Sequence, residues 1–263
     1  MPTVTPPSKP ASMGNRYELK YLIRPDLAEE IIAFLEPHVE MDDYCCRSDT
    51  RSYTVRSIYF DSPDFKCFHE KANGQKAREK FRIRTYNDPA SAPVFLEHKR
   101  KDGCTYAKKR LLLTASTLKA IETLDYNYVN TSGPLNNNDL VLERLFFRMS
   151  RNAYSPVALV VYDREAYIYP GQDTTRVTFD RNLRTSMFPD LKQIWEEDRL
   201  EYLLYNWTIL EVKFTYIVPR WLRQLSTRFD LRRQACSKYC TSVGHFLGEI
   251  PSYKDGVAYV WTI

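Results

Sequence analysis

Six segments of this chain alternate between apolar and charged side chains, and that period of two limits what the chain can fold into. In "EKFRIRTY" (79–86), Phe81, Ile83 and Thr85 point one way while Lys80, Arg82, Arg84 and Tyr86 point the other. "NRYELKYLIR" (15–24) separates Tyr17, Leu19, Tyr21 and Ile23 from Arg16, Glu18 and Lys20. "PVFLEHKR" (93–100) separates Val94 and Leu96 from Phe95, Glu97 and Lys99. In "LVVYDREAY" (159–167), Leu159 and Val161 oppose Val160, Tyr162, Arg164 and Ala166. "TTRVTFDRN" (174–182) sets Val177 and Phe179 against Arg176, Thr178 and Asp180. "ILEVKFTY" (209–216) sets Leu210, Val212 and Phe214 against Ile209, Glu211, Lys213 and Thr215.

An open antiparallel sheet with helices on one side also has one apolar and one polar face, and that accounts for any single strand. It accounts less well for the set. Arg-x-Arg and Glu-x-Lys pairs recur, and the planar fork of arginine suits oxyanions. Closing the sheet into an eight-stranded antiparallel β-barrel, with helices on its apolar outside, predicts an α+β fold with a net basic lumen. Cations about 6 Å apart repel by roughly 2–3 kcal/mol per pair at an effective dielectric near 20. Several converging pairs are costly unless an anion lies between them. A triphosphate or polyphosphate fits that need, and Glu18, Glu97, Asp180 and Glu211 become candidate ligands for Mg²⁺ or Mn²⁺. With only eight glycines and no G-x-x-x-x-G-K-[ST] loop, the phosphates fall to side chains rather than a backbone nest.

The rest of the chain supports one domain. Residues 1–14, with four prolines and no apolar period, are expected to be a disordered tail, and 15–263 a single domain without repeat or linker. A strand is predicted over 52–62, a turn at 73–75, and a hairpin at Asp102–Gly103 leading into "TYAKKRLLL" (105–113). Helices are predicted after Asp26, taken as N-cap with Glu29 three residues on, and over 114–126, 136–152 and 237–247. A further helix spans 219–229, with Pro219 in its first turn.

No apolar run reaches the length of a membrane span and no signal peptide precedes the domain, so a soluble, cytoplasmic protein is expected. Six cysteines without a C-x-x-C pair and four scattered histidines argue against zinc ribbons, thioredoxin-type sites and histidine metal centres. Cys236 and Cys240 are expected to pack on one helix face. A net charge of +5 is too small to announce a nucleic-acid binder.

"RYELKYLI", "VRSIYFDS", "EKFRIRTY", "FLEHKRK", "VVYDREAY", "RVTFDRNL", "ILEVKF" and "SKYC", in that order over about 15–245, resemble the VTC domain. This is the polyphosphate polymerase domain of the vacuolar transporter chaperone and its bacterial relatives, within the triphosphate tunnel (CYTH-like) metalloenzymes. The resemblance implies a tunnel that binds ATP and a growing polyphosphate chain. By motif, Lys20, Arg82, Arg84, Lys99, Lys108, Tyr162 and Arg164 are phosphate or nucleotide ligands, and Ser237 with Lys238 closes the site. Arg82, Arg84, Lys99 and Arg164 carry catalysis, and Glu211 holds Mn²⁺ or Mg²⁺. Lys109 competes with Lys108, which is preferred because it shares a face with Arg110. The superfamily's Glu-x-Glu-x-Lys opening is shortened here to Glu18-x-Lys20, with Arg16 in place of the first glutamate, which weakens a case for two metal ions. The phosphate-sensing domain and membrane helices of eukaryotic relatives have no counterpart here, which implies the stand-alone bacterial type. A membrane partner and the oligomeric state stay open.

Some residues keep two readings. Glu211 is weighed against a plain ion pair with Lys213. Arg176 and Lys213 either line the tunnel or form ion pairs, and Asp180 either holds a metal or caps a turn at Arg181–Asn182. Tyr59 and Asp61 are assigned to neither face, whereas Glu196, Glu197, Asp198, Arg232 and Arg233 are expected in solvent. For the whole chain, the expected activity is transfer of the γ-phosphate of ATP to polyphosphate. The rivals are a metal-dependent tripolyphosphatase or nucleoside triphosphatase and a non-catalytic polyphosphate-binding module. RNA binding ranks last, for want of stacking aromatics.

Overall fold

The computed structural model describes residues 16–87, 92–103, 105–123, 137–170, 175–215 and 218–249. The tail expected at 1–14 lies outside them. In chain order the elements begin β1 (Arg16–Ile23), α1 (Pro25–Leu35), β2 (Glu40–Met41), α2 (Asp43–Cys46) and β3 (Tyr53–Asp61). They continue α3 (Lys66–Ala72), β4 (Ala77–Tyr86), β5 (Phe95–Asp102), β6 (Thr105–Leu112), α4 (Ala115–Glu122) and α5 (Asn137–Arg151). Last come β7 (Ser155–Ile168), β8 (Arg176–Met187), β9 (Glu201–Tyr202), β10 (Thr208–Thr215), α6 (Arg220–Arg228) and α7 (Lys238–Phe246), with a 3₁₀ turn at Leu191–Trp195.

Eight strands form one antiparallel path, β1-β10-β8-β7-β3-β4-β5-β6, while the short β2 and β9 pair with β7 and β8. The expected eight-stranded antiparallel α+β fold is present, with one difference. Among the described residues β1 and β6 do not pair, so the sheet is a curled half-barrel rather than a hydrogen-bonded ring. The curl brings Lys20 of β1 and Lys99 of β5 to one cavity although the path separates those strands widely.

The apolar parity of each strand faces outward onto helices. Tyr21, Ile23, Val177, Phe179, Leu210, Val212 and Phe214 pack against α1 and α6 through Ile31, Leu35, Trp221, Leu222 and Leu225. Ile58, Phe81, Ile83 and Leu96 belong to a second cluster with α3, α4, α5 and α7. Each such side chain taken from water contributes roughly 1.5–3 kcal/mol, so register is strongly specified: a slip of one residue would turn the arginines into this layer.

Local details depart from expectation. Arg24, not Asp26, is the N-cap of α1, because Pro25 lacks an N–H and suits the first helical position. Glu29 reaches Arg181 instead, at 2.7 Å. Pro219 is the N-cap of α6 rather than part of its first turn. The hairpin at 102–103 is present: Asp102 pairs with Thr105, and Gly103 takes φ +58°, which a residue without Cβ adopts freely. The helices α2 and α3 are additional; at four and seven residues they are too short for a periodic signal. Buried Asp61 caps α3, its carboxylate accepting from the backbone of Cys67 at 2.8 Å and Phe68 at 3.1 Å.

Candidate functional site

The polar parity of the strands converges on one cavity of about 180 Å³. From β1 and β10 come Glu18, Lys20, Glu211 and Lys213; from β3, β4 and β5 come Tyr59, Lys80, Arg82, Arg84, Glu97 and Lys99. Strand β7 adds Tyr162 and Arg164, and α7 with its N-cap adds Ser237, Lys238 and Tyr239. Among the described residues, eight cations thus face three carboxylates. Nine of the ten nominated residues line this cavity: Lys20, Arg82, Arg84, Lys99, Tyr162, Arg164, Glu211, Ser237 and Lys238. The tenth, Lys108, pairs with the lining residue Glu97 at 2.9 Å. Lys108 sits opposite Lys99 in register and Lys109 opposite His98, so Lys108 carries the inward parity.

Glu97 organises the arginines. Its Oε2 accepts from Arg82 Nε at 2.7 Å and Nη2 at 2.5 Å, while Lys108 and Arg110 approach Oε1 at 2.9 and 3.6 Å. Burial opposes its charge, but Arg82 and Arg84 outweigh that and hold the carboxyl well below the usual range. Arg82 also donates Nη1 to the Tyr59 hydroxyl at 2.9 Å. Arg84 donates Nε to Ser57 Oγ at 3.0 Å and Nη2 to Tyr162 Oη at 3.3 Å. Both guanidiniums are therefore fixed in direction before any ligand arrives, which lowers the entropy lost on binding.

Asp180 plays the same part on the other wall. It is buried, accepts from Arg164 at 2.6 and 2.8 Å, and meets Lys238 at 2.5 Å. This overturns the turn-capping reading: the carboxylate goes to Arg164 and Lys238, and β8 continues past Arg181 and Asn182 through a bulge, with Asn182 at φ +53°. Tyr162 turns its ring to both cations, 5.2 Å from Arg164 and 4.4 Å from Lys238.

The surplus of positive charge bears on its neighbours. Arg82 together with burial brings Lys99 down to about 7. Burial pushes the Tyr59 phenol up, but Arg82, Arg84 and Lys80 overcome it and bring it down to about 7. The cavity is thus short of negative charge at neutral pH.

The fourth side of the site is α7. Ser237 caps it by accepting from the Cys240 N–H, and Lys80 reaches Ser237 Oγ at 3.5 Å. Tyr239 stacks on Tyr59 with centroids 5.1 Å apart and donates its hydroxyl to Asp61. The Cys236 carbonyl accepts from Lys20 at 3.2 Å. Cys236 precedes the N-cap, so it shares no helix face with Cys240.

The carboxylates suit one divalent cation. Lys20 lies 3.0 Å from Glu18 Oε1 and 3.2 Å from Glu211 Oε2, and Lys213 contacts the other oxygen of Glu211. Two hard oxygen donors thus meet at one ammonium, which marks where a metal with further oxygen ligands could be held. Among the described residues no three His, Cys, Asp or Glu side chains cluster for a metal, so the set fits a cation completed by substrate oxygens rather than a protein cage. Glu211 is therefore both an ion-pair partner and a candidate ligand.

Of the two readings kept for Arg176, the ion pair holds: it pairs with Asp42 at 3.0 Å and donates to Tyr53 Oη at 3.0 Å, whereas Lys213 lines the cavity. Glu197 is not merely solvated; it holds Arg184 at 2.8 Å and Arg56. Arg232 and Arg233 are exposed, as expected. Lys80, Tyr59 and Tyr239 also line the site, beyond the residues expected there, while Glu97, expected as a metal ligand, is held by Arg82 and Lys108. Lys80 was readable, since it shares the parity of Arg82; Tyr239 was not.

Solved structures of similar shape are distant. A Pyrococcus horikoshii protein is 15% identical over 89% of this chain and 98% of its own, with a TM-score of 0.45. A candidate adenylate cyclase of Bacillus halodurans is 10% identical over 85% and 95%, with a TM-score of 0.46. A candidate adenylyl cyclase of Hippeastrum, described as having a dominant triphosphatase activity, is 11% identical over 90% and 98%, with a TM-score of 0.47. Likenesses at this distance say nothing of function. The VTC domain profile, in contrast, matches residues 15–247, and the chain belongs to the VTC domain family.

Proposed function

We propose that the protein is a polyphosphate polymerase that moves the γ-phosphate of ATP onto the end of an inorganic polyphosphate chain held in the cavity. The observation that carries this reading is the excess of basic over acidic side chains around one cavity, eight against three among the described residues. Converging cations with prearranged directions fit a chain of closely spaced phosphates better than a single anion.

The transfer needs no protein nucleophile, because a terminal oxygen of the acceptor chain attacks phosphorus in line as the bond to ADP breaks. Arg82, Arg84, Lys99 and Arg164 align donor and acceptor and balance the charge spread over the equatorial oxygens. Tyr162 and Ser237 offer hydroxyls to phosphate oxygens, and Lys20, Lys108 and Lys238 neutralise the flanking units. A divalent cation held by Glu211 with Glu18, Mg²⁺ or Mn²⁺, would add further charge neutralisation at the phosphate oxygens. Delivery of the same phosphoryl group to water would make the protein a triphosphatase, using the same grip.

Incubation with γ-labelled ATP and Mn²⁺, followed by separation of products by length, tests the proposal. Label in lengthening chains supports the polymerase. Label in free phosphate alone supports the hydrolase, and a raised melting temperature with tripolyphosphate but no turnover supports a binding module.

A further inference from the structure

The basic concave face continues past the cavity. Register places Lys80, Lys99 and Lys108 in one row across β4, β5 and β6, and Arg78, Lys101 and Tyr106 in the next row toward the β5–β6 turn. All six share the inward parity of Arg82. Only Lys80 and Lys99 line the cavity; the others lie beyond it. Tyr106 is 70% exposed, and the Lys101 ammonium sits 5.3 Å from its ring centroid.

The opposite face of the same strands behaves differently. There Glu79 holds His98 and Arg148, each at 3.0 Å, and Arg100 pairs with Asp102 at 3.1 Å. On the concave side, Arg78 and Lys101 have no acidic partner among the described residues; Arg78 donates to the Gln75 carbonyl at 2.6 Å. Strand β6 is a sheet edge, exposed along nearly all its length, and Arg78 and Lys101 beside it are half-buried and reach solvent among the described residues.

We propose that the row of Arg78 and Lys101, continuing from Lys108, is a second grip for long inorganic polyphosphate, whose end occupies the cavity while the following units run toward the β5–β6 turn. The inference rests on the polyphosphate reading of the cavity. It assigns one mouth of the site to the chain and makes affinity grow with chain length. Chain binding then also carries a steeper salt dependence than triphosphate binding, since more cations are engaged.

The test is calorimetric titration of the wild type and the Arg78→Gln, Lys101→Gln double variant with tripolyphosphate and with long-chain polyphosphate at two salt concentrations. Both side chains are peripheral, and an unchanged tripolyphosphate affinity also serves as the check on folding. The expected result is equal tripolyphosphate affinity, about a tenfold loss for the long chain, and a shallower salt slope for it. Equal long-chain affinity in both proteins overturns the second grip. Long-chain binding that depends on these residues, without tripolyphosphate binding by the wild type, keeps the second grip and overturns the cavity reading. A single-stranded oligonucleotide that binds more tightly than polyphosphate, and loses affinity in the variant, overturns the choice of partner.

Discussion

Lys238 Nζ lies 2.5 Å from Asp180 Oδ2, and that contact ties the first turn of α7 to strand β8 beside the cavity. The same carboxylate takes both prongs of Arg164. One buried acid thus holds two of the cations assigned to phosphate, and burial costs of its charge are overcome by Arg164 and Lys238, which lower its pKa.

Asp180→Asn should therefore leave two cations facing each other without their counter-ion. Removing one partner of a buried ion pair costs about 3–5 kcal/mol. For a domain of this size the melting temperature should fall by on the order of 10 °C. Tripolyphosphate should recover part of the loss, because it supplies the missing charge. Melting curves with and without the ligand check both statements; a variant as stable as the wild type would contradict the role given to Asp180.

Stability of the ligand-free protein should rise with pH between about 7 and 10. Both Lys99 and Tyr59 are brought down to about 7 in the fold and titrate near 10 when unfolded, so the unfolded chain binds more protons across that window. The gain is lost as pH falls through 7. A bound polyanion favours protonated Lys99, so binding near pH 7 should take up protons. Titration calorimetry in buffers of different ionisation enthalpy measures that uptake directly; a heat independent of buffer would count against it.

Tyr59→Phe should fold normally, because the ring stacks on Tyr239 without its hydroxyl. It removes the acceptor of Arg82 Nη1. A hydrogen bond to a charged group contributes roughly 1.5–3 kcal/mol, so turnover should fall about ten- to a hundredfold. The rise of stability above pH 7 should also become shallower. Steady-state kinetics and a pH series of melts separate the two effects.

Tyr239→Phe should loosen α7. Its hydroxyl donates to buried Asp61, which already caps α3, so one helix is anchored through the cap of another. An Asp61 left with an unmet acceptor costs about 1–3 kcal/mol. Amide exchange in Lys238–Phe246 should quicken while that of β7 stays slow. Unchanged exchange in α7 would show that the anchor is elsewhere.

The inward cations were legible because a strand repeats every two residues, and parity follows from order alone. Arg82, Arg84, Lys99 and Glu211 share a face by that rule. Lys80 follows the same rule. Parity puts Asp180 on the polar face but not with its partners, since Arg164 and Lys238 stand 16 and 58 residues away. Nor could the tie between Tyr239 and Asp61, separated by 178 residues. The open edge between β1 and β6 was equally hidden, because alternation gives faces but not closure. Pro25 shows a smaller lesson: its missing N–H set the helix start ahead of the better capping residue, Asp26.

The most direct measurement is calorimetric binding of tripolyphosphate to the wild type and to Arg82→Ala with Arg84→Ala, both at pH 7 and fixed salt. Two prearranged guanidiniums on adjacent inward positions should together be worth at least about a hundredfold in affinity, since charged hydrogen bonds contribute roughly 1.5–3 kcal/mol each. The account predicts a single site in the wild type and a loss of that size in the variant. Equal affinity in the two proteins would contradict it.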